Sequence, residues 1–273
     1  MSERLAAAGV ALDEGQVGVA SRASFLLKGL VVGVSLAGAG VLLNRGVVPA
    51  WAAHDDGIPD ADILNYALTL EYLEATFYTE ALGGPGTTGV PATGRSRRSN
   101  DDDHDKHHHH HRAQAPFDRR EITDARVLSG FDGRTRREVY GNLKTIRDHE
   151  AAHVEFLLAG LGAGAVGPCA FDFTTALKSV ASFLTTAQVL ENTGVMAYDG
   201  AIRYVDAGDF LQAGAQIATI EARHASYLNL LNRDSPFPDA FDMGKKPSEI
   251  LAAASPFIVS CPPEVLALFA RLP

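Results

Sequence analysis

The stretch Ile220-Glu221-Ala222-Arg223-His224-Ala225-Ser226-Tyr227-Leu228 sets a carboxylate and an imidazole three residues apart in a strongly helical segment. Residues three apart share a helix face, so one metal ion can touch both Glu221 and His224. Glu150-Ala151-Ala152-His153 repeats the arrangement in a second helical segment, again among apolar neighbours. Six of the ten histidines lie in one run, His104 and His107 to His111, which leaves four elsewhere. With 13 glutamates placed at random, those four would give about 0.2 Glu-x-x-His pairs, against the two present. A helix-surface ion pair is the bland reading for either pair alone; two together suggest a site shared between two helices.

Working outward, Asp60 reads as the N-cap of a helix running to Leu82 and stopped by Gly83-Gly84-Pro85. Ile63, Ala67, Leu70, Leu73, Phe77 and Leu82 form its apolar stripe, and Glu71 and Glu74 lie near that stripe. A carboxylate at the edge of a core face normally needs a partner. After a short helical piece at Ile122 to Leu128, a long helix spans Thr135 to Leu161 and carries Glu150 and His153. His149 projects about 100° away from Glu150, which reads as a neighbour of the site or a surface residue. A third helix, Thr175 to Val205, has Glu191 as its only glutamate, set among Val189, Leu190, Val195 and Met196. An acid in such surroundings is costly unless paired or metal-bound. The fourth helix, Phe210 to Arg233, carries Glu221 and His224, and a short helical piece follows at Ser248 to Ala254. The link Gly162 to Thr174 can reach about 43 Å when extended, and a 27-residue helix is about 40 Å long. The third helix can therefore lie parallel to the second.

The expected fold is all-α, a four-helix bundle with a long crossover between helices 2 and 3 and an irregular C-terminal tail. A glutamate from each of two helices, with Glu-x-x-His from each of the other two, is the ligand set of a carboxylate-bridged dinuclear site. The candidate ligands are Glu71, Glu150, His153, Glu191, Glu221 and His224. Glu150 and Glu221 would bridge, while Glu71 with His153 and Glu191 with His224 complete each ion. Glu74 competes with Glu71, which is preferred because Glu71 and Tyr78 repeat a spacing common in such bundles. Hard carboxylates with two imidazoles suit two iron or manganese ions, iron by preference, with dioxygen or peroxide as partner.

Five segments carry a resemblance: Leu70-Glu71-Tyr72-Leu73-Glu74-Ala75-Thr76-Phe77-Tyr78, Asp148-His149-Glu150-Ala151-Ala152-His153, Ala187-Gln188-Val189-Leu190-Glu191, Glu221-Ala222-Arg223-His224-Ala225 and Pro256-Phe257-Ile258-Val259-Ser260-Cys261-Pro262. Over most of residues 58 to 265 the chain resembles the ferritin-like family that includes desiccation-related proteins, in the form of an exported bacterial member. The resemblance implies a ferritin-like bundle, metal binding and frequent export. The long loop and tail are unlike compact cage subunits, which argues against iron storage in a hollow shell.

The net charge of -9 argues against general nucleic-acid binding, which needs a basic face. Residues 1–52 read as an export signal. Gly29 to Leu43 is free of charge between Lys28 and Arg45, and Ala50-Trp51-Ala52 offers small residues for cleavage. Ser21-Arg22-Ala23-Ser24-Phe25-Leu26-Leu27-Lys28 resembles a twin-arginine signal with Ala23 in the second arginine position; an uncleaved N-terminal anchor is the alternative. Residues 53–273 form the expected domain. Within it, 83–118 is a His/Asp-rich loop insertion expected to be disordered, and 234–273 is the tail. That loop reads as without a dedicated role, as a loose zinc, nickel or copper binder, or as a tag remnant. In an exported chain the two loop cysteines, Cys169 and Cys261, read as a disulfide tying the tail to the bundle. Two functions fit: a dinuclear oxidase or peroxide-consuming protein, or a structural, desiccation-stress protein in which metal only stabilises the bundle. Oligomeric state is not legible.

Overall fold

A computed structural model describes residues 57–84 and 115–273. The expected export segment and most of the His/Asp-rich loop lie outside the described residues. Four long helices form the bundle: α1 (Asp60–Leu82), α3 (Gly133–Leu161), α4 (Val180–Ala201) and α5 (Gly208–Leu231). A short α2 (Arg119–Thr123) precedes α3, and two more, α6 (Pro247–Ala254) and α7 (Pro263–Phe269), belong to the tail. Among the described residues no helix is long and apolar enough to cross a membrane.

Local capping explains where the helices begin. Asp132 accepts from the backbone N–H groups of Arg134 and Thr135, so α3 starts two residues before the expected Thr135. Ser179 and Ser182 form a capping box, which starts α4 at Val180; the flanking residues of the expected longer helix form single 3₁₀ turns, Ala176–Lys178 and Ile202–Tyr204. Asp60 does not cap α1. It is the first helical residue, after Pro59, and its carboxylate accepts from the backbone N–H groups of Asp206 and Ala207.

These side-chain bonds also fix helix directions. Asn65, near the start of α1, donates to Gly164 O at 3.0 Å and accepts from Val166 N at 2.9 Å, just past the end of α3. Asn232, at the end of α5, donates to Leu184 O near the start of α4. With Asp60 bound at the end of α4, α1 runs antiparallel to both α3 and α4. The third long helix is therefore parallel to the second, as the length of the crossover allows.

The single apolar stripe expected on α1 is too narrow a description. Tyr66, Leu68, Tyr72 and Ala75 are buried as fully as Leu73 and Phe77, so the helix is enclosed on every side. The tail supplies the extra cover: α7 packs on α1, and Arg271 pairs with Asp62 at 2.9 Å. The tail is joined to the crossover by an antiparallel pair, β1 (Ala170–Phe171) with β2 (Ile258–Ser260), and by the Cys169–Cys261 disulfide. Below the middle of the bundle, Phe77, Tyr78, Phe173 and Phe183 pack edge-on or tilted, with ring centroids 5.2–6.0 Å apart.

Candidate metal centre

Helical periodicity turns Glu71, Glu150, Glu191 and Glu221 inward from the middles of α1, α3, α4 and α5, and all four have no solvent exposure. The structure brings all six residues singled out in the sequence to one place. Glu71, Glu150, His153 and Glu221 offer ligand atoms within 4.8 Å of one another, and so do Glu150, Glu191, Glu221 and His224. Glu150 and Glu221 belong to both groups.

Both imidazoles aim Nδ1 inward. His153 Nδ1 lies 3.1 Å from Glu150 Oε2, 3.2 Å from Glu71 Oε2 and 3.3 Å from Glu221 Oε1. His224 Nδ1 lies 3.0 Å from Glu150 Oε1 and 3.1 Å from Glu191 Oε2. One N–H can be aligned with few of these oxygens. Glu150 Oε1 and both oxygens of Glu221 are buried without a hydrogen bond, close as some of them are to an imidazole. Buried oxygens left so are costly unless a cation takes the place of the missing donors. Opposed ligand atoms about 2 Å from an ion stand about 4 Å apart, so the spacing fits a metal in each group. The cluster is compatible with metal binding.

The outer carboxylates are held by phenols. Tyr78 donates to Glu191 Oε1 at 2.6 Å, and Tyr198 donates to Glu71 Oε1 at 2.5 Å. The sequence marked Tyr78 only through its spacing from Glu71 and did not mark Tyr198. A tyrosine seven residues after Glu191, two helical turns on, is the signal that was available. His149 is a neighbour of the site, its Nδ1 2.9 Å from His224 Nε2 with the rings stacked. Glu74 is nearly as buried as the four glutamates of the cluster, yet it stands outside both four-residue groups.

Burial and like charge dominate the electrostatics. Burial first, then the neighbouring carboxylates, push Glu74 and Glu221 well above the usual carboxylate range and raise Glu150. Burial opposes ionisation of Glu71 too, but His153 and the phenol of Tyr198 hold it below its ordinary value. Burial also disfavours charge on the imidazoles; nevertheless Glu150 and Glu191 push His224 up to about 10, and Glu71, Glu150 and Glu221 raise His153 further. His149, burdened by burial and by the two other imidazoles, is lowered. Without metal the cluster therefore keeps protons where cations fit.

A ferritin-like domain model matches residues 59–233, the span that contains all four long helices and every residue of the cluster. No curated protein sequence matches the chain. With this match over more than half its length, the chain belongs to the ferritin-like domain family.

Proposed function

We propose that the cluster holds two metal ions, iron in preference to manganese, bridged by Glu150 and Glu221, with Glu71 and His153 completing one ion and Glu191 and His224 the other. The observation that carries this reading is that Glu150 and Glu221 are common to both ligand groups, while three of their four oxygens lack a hydrogen bond. When bound, such an ion pair supplies two electrons and open positions for dioxygen or peroxide.

The chain's own residues prepare the site. Tyr78 and Tyr198 fix the orientation of the outer carboxylates, and His149 fixes the ring of His224. Glu74 keeps a proton at the edge of the cluster, and the apolar helix faces exclude bulk water. The reading is of an oxidase or peroxide-consuming protein that protects an exported compartment from oxidative damage, of the desiccation-related type. The disulfide supports export, since such bonds persist in oxidising compartments, and residues 1–52 supply a signal-like sequence.

A second reading, in which metal only stabilises a stress-protective bundle, draws on the complete burial of the four carboxylates. Elemental analysis of the purified protein, followed by assays of dioxygen and peroxide consumption, tests both. Two ions per chain with turnover supports the first reading, two ions without turnover the second, and absence of stoichiometric metal removes both.

A further inference from the structure

A narrow pocket lies between α1 and α4 beside the cluster. Leu70 and Leu73 on α1 and Val189 and Leu190 on α4 form its walls, and Ala254 and Phe257 from the tail form its roof. Its cavity volume is about 20 Å³, where about 10–15 Å³ admits one water. That is room for a diatomic molecule and too little for an organic substrate.

Glu74 and Gly194 border both the pocket and the cluster. A Cβ on Gly194 would stand 2.7 Å from Glu221 Oε2 and 3.3 Å from Glu74 Oε1. The missing side chain thus leaves the pocket's inner end against a carboxylate that belongs to both ligand groups. The outer end is at the surface, where Val189 is 53% exposed and Ala253 is exposed as well.

The roof lies beyond residue 233, outside the span that the family model matches, and its attachment is specific. Lys245 N donates to Met196 O at 3.0 Å, and a Cβ on Gly200 would fall 1.8 Å from Lys245 O, so tail and α4 meet backbone to backbone. The disulfide to Cys169 anchors the tail a second time.

The guest's polarity follows from the lining. A bound water or peroxide needs two to four polar partners, and the lining offers two polar side chains, Glu74 and Thr193, of which the Thr193 hydroxyl already donates to Val189 O at 2.7 Å. We infer that this pocket is the entry and holding site for dioxygen at the cluster, and that the C-terminal tail is the roof that restricts entry to small apolar molecules. What the guest does there rests on the dinuclear reading; that an apolar gas is held does not.

The test uses xenon as an apolar probe in pressurised crystals of the metal-free full chain, and dioxygen on the chain loaded with two ferrous ions. The expected result is xenon between Leu73, Val189 and Ala254. Ala253→Trp, which fills the mouth from an exposed position, should abolish that xenon site and keep two ions bound. It should also slow the first-turnover oxidation of the ferrous pair by about tenfold or more, one dioxygen taking two electrons and two protons to leave as hydrogen peroxide. Val189→Trp is the second variant, should the first not fold. No xenon in the unmodified protein, or an unchanged dioxygen rate in a variant that excludes xenon, would overturn the inference. Equal slowing with added hydrogen peroxide would overturn its apolar selectivity. A chain that takes up xenon but no metal would sink the dinuclear reading while upholding the apolar site.

Discussion

His149 Nδ1 lies 2.9 Å from His224 Nε2, while the opposite nitrogen of His224 faces Glu150 and Glu191. One imidazole therefore orients another whose inner nitrogen points into the cluster. His149 is lowered and His224 raised, so the proton between them belongs to His224 and His149 accepts it. Removing such an outer partner typically weakens a metal site by about 10–100-fold. His149→Ala should lower the affinity for one ion of the pair by about that factor and leave the other nearly unchanged, as read by titration calorimetry. Equal weakening of both ions, or none, would count against His149 as a positioning residue.

Glu150 and Glu221 are the residues common to both ligand groups, so their loss should not be shared out like the loss of an outer ligand. The variant combining Glu150→Ala and Glu221→Ala should retain no stoichiometric metal by elemental analysis. Two metals per chain in that variant would refute the bridging assignment. Tyr78→Phe, which removes only the bond to Glu191, should keep both ions and weaken one.

The convergence of the six residues and the bundle were legible because both rest on helical period: Glu-x-x-His reads as one face whatever the tertiary arrangement. Helix ends were less so, since Asp132 and Ser179 decide them through side-chain bonds that compete with several nearby candidates. Glu74 shows where period fails. It lies one turn from Glu71 on the same side of α1, and only the packing of α4 separates their roles, bringing Tyr198 to Glu71 and Gly194 to Glu74. The tail's cover of α1 was illegible for a related reason: no local pattern in residues 234–273 states which helix they will enclose.

The Cys169–Cys261 bond closes a loop across 92 residues and joins the crossover to the tail. Constraint of the unfolded chain by a loop of that size is worth about 2–5 kcal/mol. Replacing both cysteines by serine should therefore lower stability by about that amount in urea denaturation. Reductant should do the same to the unmodified protein and nothing to the variant. Coincident denaturation curves for the two proteins under oxidising conditions would show that β1, β2 and the packing of the tail suffice without the bond.

Protons held by the metal-free cluster link its stability to pH. Glu74, Glu150, Glu221, His153 and His224 all bind protons more tightly folded than unfolded, so their contribution is greatest at low pH and falls as pH rises. For His224 it is complete below the ordinary imidazole value of about 6.5 and is lost as pH climbs toward about 10. Glu71 and His149 have the opposite sign: the contribution of Glu71 is already complete above the usual carboxylate value, and that of His149 is complete once pH passes the ordinary imidazole value, so neither changes through the upper part of this range. The melting temperature of the chelator-treated protein should thus fall by about 5 °C or more between pH 6 and pH 9. Metal must displace these protons to bind, so its affinity should rise over the same interval, and the metal-loaded protein should gain stability relative to the metal-free one. Parallel melting curves with and without metal across that range would mean that the buried protons and the cations do not compete for one set of side chains.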